Sequence, residues 1–325
     1  MNRTILVTGG AGFIGSSVAR LLADGGDRVR VLDDLSIGRT EYLDGVPHEL
    51  LRAPLADGLT VAQAVEGADA VVHLAARAGI PDSVADPIGT FDVNVGQLVG
   101  LLDAARRAGV ARFVLASSNS AAGEHEPPAD ETDLPHPISP YGASKLAGEA
   151  YCQAFSATYG LAACSLRFSN AYGPRSLHKQ SVVAAWLRAG LSGRPVTVYG
   201  DGEQTRDFVY VEDLARAVAA VLDASPETVA GELFQVGTGR ETTINQLAAT
   251  VEQAIDRPLE IVHEPARPGD VRRNVSRVDK AQSRLGYRAT VPLEEGLRRT
   301  ADWFRLALRD SALAGVTPHV ASGSE

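Results

Sequence analysis

The sequence predicts an α/β fold, a doubly wound parallel sheet with a smaller interleaved α/β lobe. Two observations carry that prediction. Strand-like and helix-like stretches alternate through the first half of the chain, and the texture changes after about Phe168. Such alternation places parallel strands in one sheet with helices on both faces. A length of 325 residues favours two closely joined lobes over one core.

Taken in order, Ile5-Leu6-Val7 is a short apolar run that ends in glycines, and residues 14–22 carry apolar side chains at helical spacing. Val29-Arg30-Val31-Leu32 reads as a second strand. Ala70-Val71-Val72-His73-Leu74 and Arg112-Phe113-Val114-Leu115-Ala116 read as buried strands, with a helix over 93–108 between them. Residues 141–159 read as a helix and 162–168 as the strand that follows. Beyond a loop at Asn170-Ala171-Tyr172-Gly173-Pro174 come a helix over 182–191 and a strand over 196–199. Further helices are expected at 213–222, 247–255 and 293–308. The stretch 311–325 is small and polar without periodicity, and is expected to be a mobile tail. Residues 1–168, completed by segments from about 205–236, should form the larger lobe. Residues 169–310 should mainly form the smaller one, with a cleft between. Ligands in such sheets sit beyond the carboxyl ends of the strands.

A formal net charge of −9 and the lack of a dense Lys/Arg run disfavour a nucleic-acid partner, which needs a basic footprint. An anionic small molecule remains open, because a few placed arginines suffice for one diphosphate. Cys152 and Cys164, the two cysteines, suit a reducing compartment and do not have metal-ligand spacing, so no metal is expected. His73 reads as structural, and the loop sequence Glu124-His125-Glu126 forms no ligand cluster. No charged-then-apolar leader precedes Thr4-Ile5-Leu6-Val7, and no apolar run reaches the ~18 residues of a membrane span. The expected location is cytoplasmic.

Thr8-Gly9-Gly10-Ala11-Gly12-Phe13-Ile14-Gly15 joins the first strand to the first helix. Glycines at 9, 12 and 15 permit a tight turn, close approach of a pyrophosphate, and close packing of helix on strand. The helix N-terminus offers N–H groups to phosphates. With strand and helix in place, the pattern predicts a dinucleotide-binding lobe of the Rossmann type. Asp33 follows the second strand near the ~20-residue offset at which a carboxylate meets the ribose hydroxyls. It would repel a 2′-phosphate, so NAD is expected rather than NADP. Asp34 can share the role, and Arg39 reads as a solvated loop charge.

In Pro140-Tyr141-Gly142-Ala143-Ser144-Lys145, Tyr and Lys stand four apart, which puts both on one helix face. An ammonium beside a phenol lowers its pKa, and the positive charge of a bound nicotinamide lowers it further. Tyr141 can then act as a base near neutral pH, which a free phenol cannot. Alone, Tyr-x-x-x-Lys is common. Here Ala116-Ser117-Ser118-Asn119 leaves a strand end that should face the same cleft as the glycine loop, so a hydroxyl can meet the substrate oxygen.

These motifs resemble the extended short-chain dehydrogenase/reductase family, in its nucleotide-sugar epimerase and dehydratase branch. The resemblance rests on the glycine loop, His73-Leu74-Ala75-Ala76, Asn94, Ser118, and Tyr141 with Lys145. It continues through Arg167-Phe168-Ser169-Asn170-Ala171-Tyr172-Gly173-Pro174, Tyr199-Gly200-Asp201-Gly202 with Arg206-Asp207-Phe208, and Arg267-Pro268-Gly269-Asp270. It implies that NAD is held by Gly9, Gly12, Phe13, Ile14, Gly15, Asp33, Asp34, Leu74, Ala75, Ala76, Asn94, Tyr141 and Lys145, and that Ser118, Tyr141 and Lys145 are catalytic. Two departures stand out. Ala122-Gly123 replaces the family's Tyr-Gly; Ser118 is placed by counting back from Gly123, with Ser117 and Ser120 as alternatives. Pro54 replaces an Asp after the third strand, which moves the adenine contact to the backbone near Leu55.

The implied substrate is a nucleotide-diphosphate sugar. The resemblance assigns Asn170 and Arg206 with Arg267 to the diphosphate, since guanidinium forks suit phosphate oxygens. It assigns Asp270 to the nucleotide ribose, Val198 and Tyr199 to the base, and Ser118 with Tyr141 to the sugar. His178, Lys179 and Gln180, just past the Tyr-Gly-Pro loop, receive no role. The implied chemistry is transient oxidation at C4 to a 4-keto sugar. An epimerase then returns hydride to the opposite face. The family's 4,6-dehydratases carry Asp-Glu just after the catalytic Thr, where this chain has Asn119-Ser120, and its uronate decarboxylases carry a Glu in that stretch. Epimerisation is thus the expected reaction. Ala75-Ala76-Arg77-Ala78-Gly79-Ile80 is similar to hexuronate 4-epimerases, although Pro81-Asp82 stands where those often have a basic residue. A cofactor-responsive binding module that has lost catalysis is the reading from another class. The family's usual pairing through the helices at 93–108 and 141–159 implies a homodimer.

Overall fold

The computed structural model describes residues 2–266 and 271–313, without the side chains of 310–313. Six strands carry the first half: β1 (Thr4–Thr8), β2 (Arg28–Asp33), β3 (His48–Arg52), β4 (Ala70–His73), β5 (Arg112–Ser118) and β6 (Ala162–Phe168). The later strands are β7 (Asn170–Tyr172), β8 (Val196–Tyr199), β9 (Thr205–Arg206), β10 (Phe208–Tyr210), β11 (Leu233–Val236), β12 (Thr242–Thr243) and β13 (Ile261–Glu264). Seven of these form one sheet in the order β11-β6-β5-β4-β1-β2-β3, every pairing parallel.

Side-chain alternation along the strands divides the apolar residues between two faces. Ile5, Val7, Val31 and Val72 pack on one face with Val18 and Leu22 of the helix Phe13–Asp24 and Leu214 and Val218 of the helix Val211–Asp223. Leu6, Leu32, Val71, Phe113 and Leu115 pack on the other with Leu101 and Leu102 of the helix Leu98–Arg107 and Phe155 of the helix Pro140–Tyr159. β6, between β5 and β11, is buried along its whole length.

The smaller lobe has its own core. Val183, Trp186 and Leu187 of the helix Val182–Leu191 pack with Leu247 and Val251 of the helix Ile244–Ile255 and with Leu297 and Phe304 of the final helix, Leu293–Leu313. Short two-stranded pairings β10-β7, β12-β9 and β13-β8 surround it. The chain crosses between lobes more than once. β7 and β10 follow β6, and the chain then returns through Val211–Asp223 and β11 to the central sheet. The final helix runs to Leu313, three residues into the stretch read as tail; residues 314–325 lie outside the described part.

Several elements carry no strong pattern in sequence. β3 reads His-Glu-Leu-Leu-Arg and sits at the sheet edge, so none of its residues is fully buried. The helix Gly58–Val65 follows it, capped by Asp57, whose side chain accepts from Leu59 N and Thr60 N. Residues 92–97 form a π-helical turn inside the expected 93–108 helix.

Candidate active site

A cleft of about 940 Å³ runs between the lobes, and it is lined by the glycine loop at one end and by Ser118 and Tyr141 at the other. The loop geometry explains its glycines. A Cβ on Gly9 would stand 2.7 Å from Ala75 N, and one on Gly15 would stand 2.0 Å from Gly9 O. The helix Phe13–Asp24 begins at Gly12 without a side-chain cap. Its first turn, with Phe13, Ile14 and Gly15, faces the cleft, where N–H groups and helix dipole suit a phosphate.

Asp33 ends β2 beside this loop and is largely buried. Its carboxylate accepts from Ala11 N at 2.9 Å and from Leu35 N at 2.9 Å, which fixes it against the cleft. Burial raises its pKa, opposed by those backbone N–H groups. Gly38 closes over it: a Cβ there would lie 2.8 Å from an Asp33 carboxylate oxygen. Asp34, Pro54 and Leu55 line the same end, and Leu74, Ala75 and Ala76 line the middle. A dinucleotide fits this wall, with backbone N–H groups for its diphosphate and a held carboxylate for a ribose.

At the other end, Ser139 caps the helix Pro140–Tyr159 by accepting from Gly142 N at 3.1 Å. Gly142 lets the helix meet the end of β5 closely, since a Cβ there would stand 2.2 Å from Ser120 O. That contact brings Tyr141 to Ser118. Burial raises the Tyr141 phenol, and its hydrogen bond with Ser118 acts in the opposite direction. The Lys145 ammonium lies 5.9 Å from the Tyr141 ring centroid and donates to Ala116 O at 2.9 Å. Burial brings the Lys145 pKa down to about 8, with Glu149 raising it. Ser117, by contrast, turns inward and donates to Glu149 at 2.5 Å. Ser120 accepts from the Ser118 hydroxyl at 3.3 Å. Of the three hydroxyls, Ser118 is the one that acts on the Tyr141 phenol.

Two networks support this end, and neither was foreseen. Glu149 also accepts from Arg167 Nε at 2.8 Å and Nη2 at 2.7 Å, so a buried ion pair lies one helical turn beyond Lys145. Asn119 donates its amide to Ser276 Oγ at 2.9 Å, with longer contacts at 3.3 Å to Ser169 Oγ and Asn274 Oδ1. The signal for the first was present: a Glu at i+4 from Lys145 and an Arg in a mostly apolar strand. No local pattern foretells the second, which joins residues far apart in sequence.

The remaining expected residues divide. Asn170 and Arg206 line the cleft, and the Arg206 guanidinium donates to Thr205 O and Val271 O at 2.7 Å each. Asn94 does not line it. Its side chain accepts from Arg77 N at 2.8 Å and donates to Arg77 O at 3.0 Å and Ser144 Oγ at 3.0 Å, so it holds the wall from behind. Val198, expected beside the base, is turned by alternation along β8 into the smaller lobe's core. Tyr199 is half-buried and also off the cleft wall. Arg267 and Asp270 lie outside the described residues. Among the described residues, no group of three or more His, Cys, Asp or Glu side chains is placed to hold a metal, and no helix is long and apolar enough to cross a membrane.

Comparison with known proteins agrees with this geometry. The model of the NAD-dependent epimerase/dehydratase family matches residues 5–237. A UDP-glucose 4-epimerase of Mycolicibacterium smegmatis is 41% identical over 313 residues, covering 92% of this chain and 98% of that one. The crystal structure of a Thermotoga maritima UDP-glucose 4-epimerase with UDP-glucose is 38% identical with a TM-score of 0.88, covering 94% of this chain and 99% of that one. A Thermus thermophilus UDP-glucose 4-epimerase in complex with NAD is 39% identical with a TM-score of 0.85, covering 93% and 99%. The glycine loop, the held Asp33 and the Ser118–Tyr141–Lys145 group thus sit in a chain that belongs to the NAD-dependent epimerase/dehydratase family.

Proposed function

We propose that the protein is a 4-epimerase of a nucleotide-diphosphate sugar. The observation that carries this reading is the distribution of ionisable groups in the cleft. Among the described lining residues the only carboxylates are Asp33 and Asp34, both at the glycine-loop end. The Tyr141 end offers a phenol, a hydroxyl and an ammonium, but no carboxyl group. Elimination of water requires an acid and a base beyond the pair that handles the sugar hydroxyl. Asn119, with its amide held by Ser276, cannot ionise for that work. Inversion needs no further acid or base.

NAD, when bound, supplies the hydride acceptor and donor. Gly9, Gly12, Phe13, Ile14 and Gly15 would hold its diphosphate, Asp33 and Asp34 a ribose, Leu55 the adenine, and Leu74 to Ala76 the middle of the molecule. Tyr141 removes the proton from the C4 hydroxyl, and Ser118 holds that oxygen and passes the proton. Lys145 stabilises the phenolate. A phenol near pKa 10 is ~0.1% ionised at neutral pH, so the ammonium and the cofactor's positive charge are needed. Asn170 and Arg206 serve the diphosphate of the sugar nucleotide, joined by Arg267, with Asp270 at its ribose.

The test is a panel of UDP-, GDP-, CDP- and dTDP-sugars incubated with the NAD-loaded enzyme. A new C4 epimer without net NADH is expected. Loss of water or CO2 instead would sink the reading, as would binding of these sugars without turnover.

We also infer a homodimer. Ile80, Val84, Ile88 and Phe91, on the short helices Ile80–Ala85 and Pro87–Phe91, are 48–69% exposed, and both helices pack against Pro140–Tyr159. Exposed apolar side chains on two neighbouring helices suit a second copy. Sedimentation equilibrium checks it; a monomer at micromolar concentration overturns it.

A further inference from the structure

Lys179 follows the loop that leaves β7 and stands in the cleft wall. Its ammonium lies 5.4 Å from the centroid of the Phe13 ring, at the first residue of the glycine-loop helix. The other cations of the cleft have partners. Arg77 pairs with Asp86 at 2.5 Å, Lys145 donates to Ala116 O, and Arg206 donates to two carbonyls. Among the described residues the Lys179 ammonium has no carboxylate and no hydrogen-bond acceptor, only the ring. Its backbone is nonetheless fixed: Lys179 N donates to Ser176 O at 2.9 Å, and its carbonyl accepts from Arg188 Nη1 at 2.6 Å.

The surroundings are cationic in a protein of net charge −9. His178, beside it on the cleft wall, is pushed down to about 4, first by burial and then by Lys179, Arg39 and Arg188. Burial likewise lowers Lys179. Lys179 is half-buried, and partial loss of water around an ammonium with no counter-ion carries a cost that an aromatic face offsets only in part. An anion in the cleft offsets more. The adjacent helix N-terminus contributes positive potential at the same place.

We propose that Lys179 is a direct ligand of a diphosphate bound in the cleft, reaching it from the smaller lobe beside Phe13. This rests on the functional reading above, in which the cleft takes two diphosphates, one from the dinucleotide and one from the sugar nucleotide. Both present the same chemistry to an ammonium. Lys179 sits on the loop between β7 and Val182–Leu191, so its contact would tie the lobes together when the cleft is filled.

The experiment is equilibrium binding to Lys179→Gln, which removes the charge, and to Lys179→Arg, which keeps it. NADH affinity is read by fluorescence on the cofactor-stripped protein, and UDP affinity by calorimetry on the NAD-loaded protein. Loss of one charge-assisted contact predicts about ten-fold weaker binding, or more, in one arm for Lys179→Gln, and recovery to within about three-fold in Lys179→Arg. Weakening of NADH alone assigns the dinucleotide's diphosphate; weakening of UDP alone assigns that of the sugar nucleotide. Both affinities within about two-fold of wild type, or an arginine variant as weak as the glutamine one, overturn the proposal. Neither arm requires turnover. A protein that binds both probes and epimerises nothing therefore defeats the functional reading and still tests this one.

Discussion

Glu149→Gln keeps the shape of the side chain and removes its charge. Arg167 and Glu149 are 2% and 8% exposed, and the carboxylate accepts from Arg167 twice and from Ser117 once. Arg167 Nη1 already has no hydrogen-bond partner. A glutamine would present an NH2 donor to the guanidinium fork and leave a buried positive charge without a counter-ion. Breaking one side of such a pair costs about 3–5 kcal/mol. At about 2–4 °C per kcal/mol, the thermal midpoint should fall by ~6–20 °C. The assay is far-UV circular dichroism during heating and in urea, on wild type, Glu149→Gln and the double replacement Glu149→Met with Arg167→Met. The double variant should recover most of the loss, because a packed apolar pair of similar volume avoids the desolvation of both charges. A loss under about 1 kcal/mol for Glu149→Gln would refute the reasoning. It would mean that water reaches the pair and that it is worth no more than a surface bridge.

Tyr141→Phe should bind NADH normally and lose about 10²–10⁴ in kcat for epimerisation; activity within about three-fold of wild type removes Tyr141 as the base. Gly15→Ala places a Cβ 2.0 Å from Gly9 O, so the loop must open and NADH affinity should drop by about ten-fold or more; unchanged affinity in a fluorescence titration contradicts the loop geometry. His73 is pushed down to about 3, first by burial and then by Lys145, with its ring Nδ1 2.7 Å from Thr8 Oγ1. The unfolded chain therefore takes up a proton near pH 6.5 that the fold refuses. Its contribution to stability is complete above that pH and is lost toward pH 3, at about 1.4 kcal/mol per unit. His73→Asn should flatten the fall in urea midpoint between pH 6.5 and 4.5 by about one proton; identical slopes in both proteins would count against it.

The larger lobe and both ends of the cleft were legible because each rests on local pattern. The glycine loop lies between a strand and a helix, Asp33 ends the next strand, and Tyr141 and Lys145 share one face of a capped helix. The choice among Ser117, Ser118 and Ser120 was not legible. All three carry a hydroxyl, and only the contact of Gly142 with Ser120 O shows which way the strand end turns. Asn94 lies in the π turn at 92–97, in the expected neighbourhood, with its side chain held by Arg77 behind the cleft wall. Val198 follows a simpler rule. Strand alternation fixes which residues share a face, but the position of the lobe's core decides which face is inward.

The place of β6 in the sheet bears on how the chain can be made. Its neighbour β11 is encoded more than sixty residues later, after much of the smaller lobe. During translation, a nascent chain that ends before Leu233 presents β6 as an open sheet edge, a mostly apolar strand buried at every position in the finished protein. Such an edge invites pairing with another unfinished chain. The vulnerable interval opens when β6 leaves the ribosome and closes when β11 docks. The codons between these strands are therefore where slow synthesis or scarce chaperone would show first as lost yield.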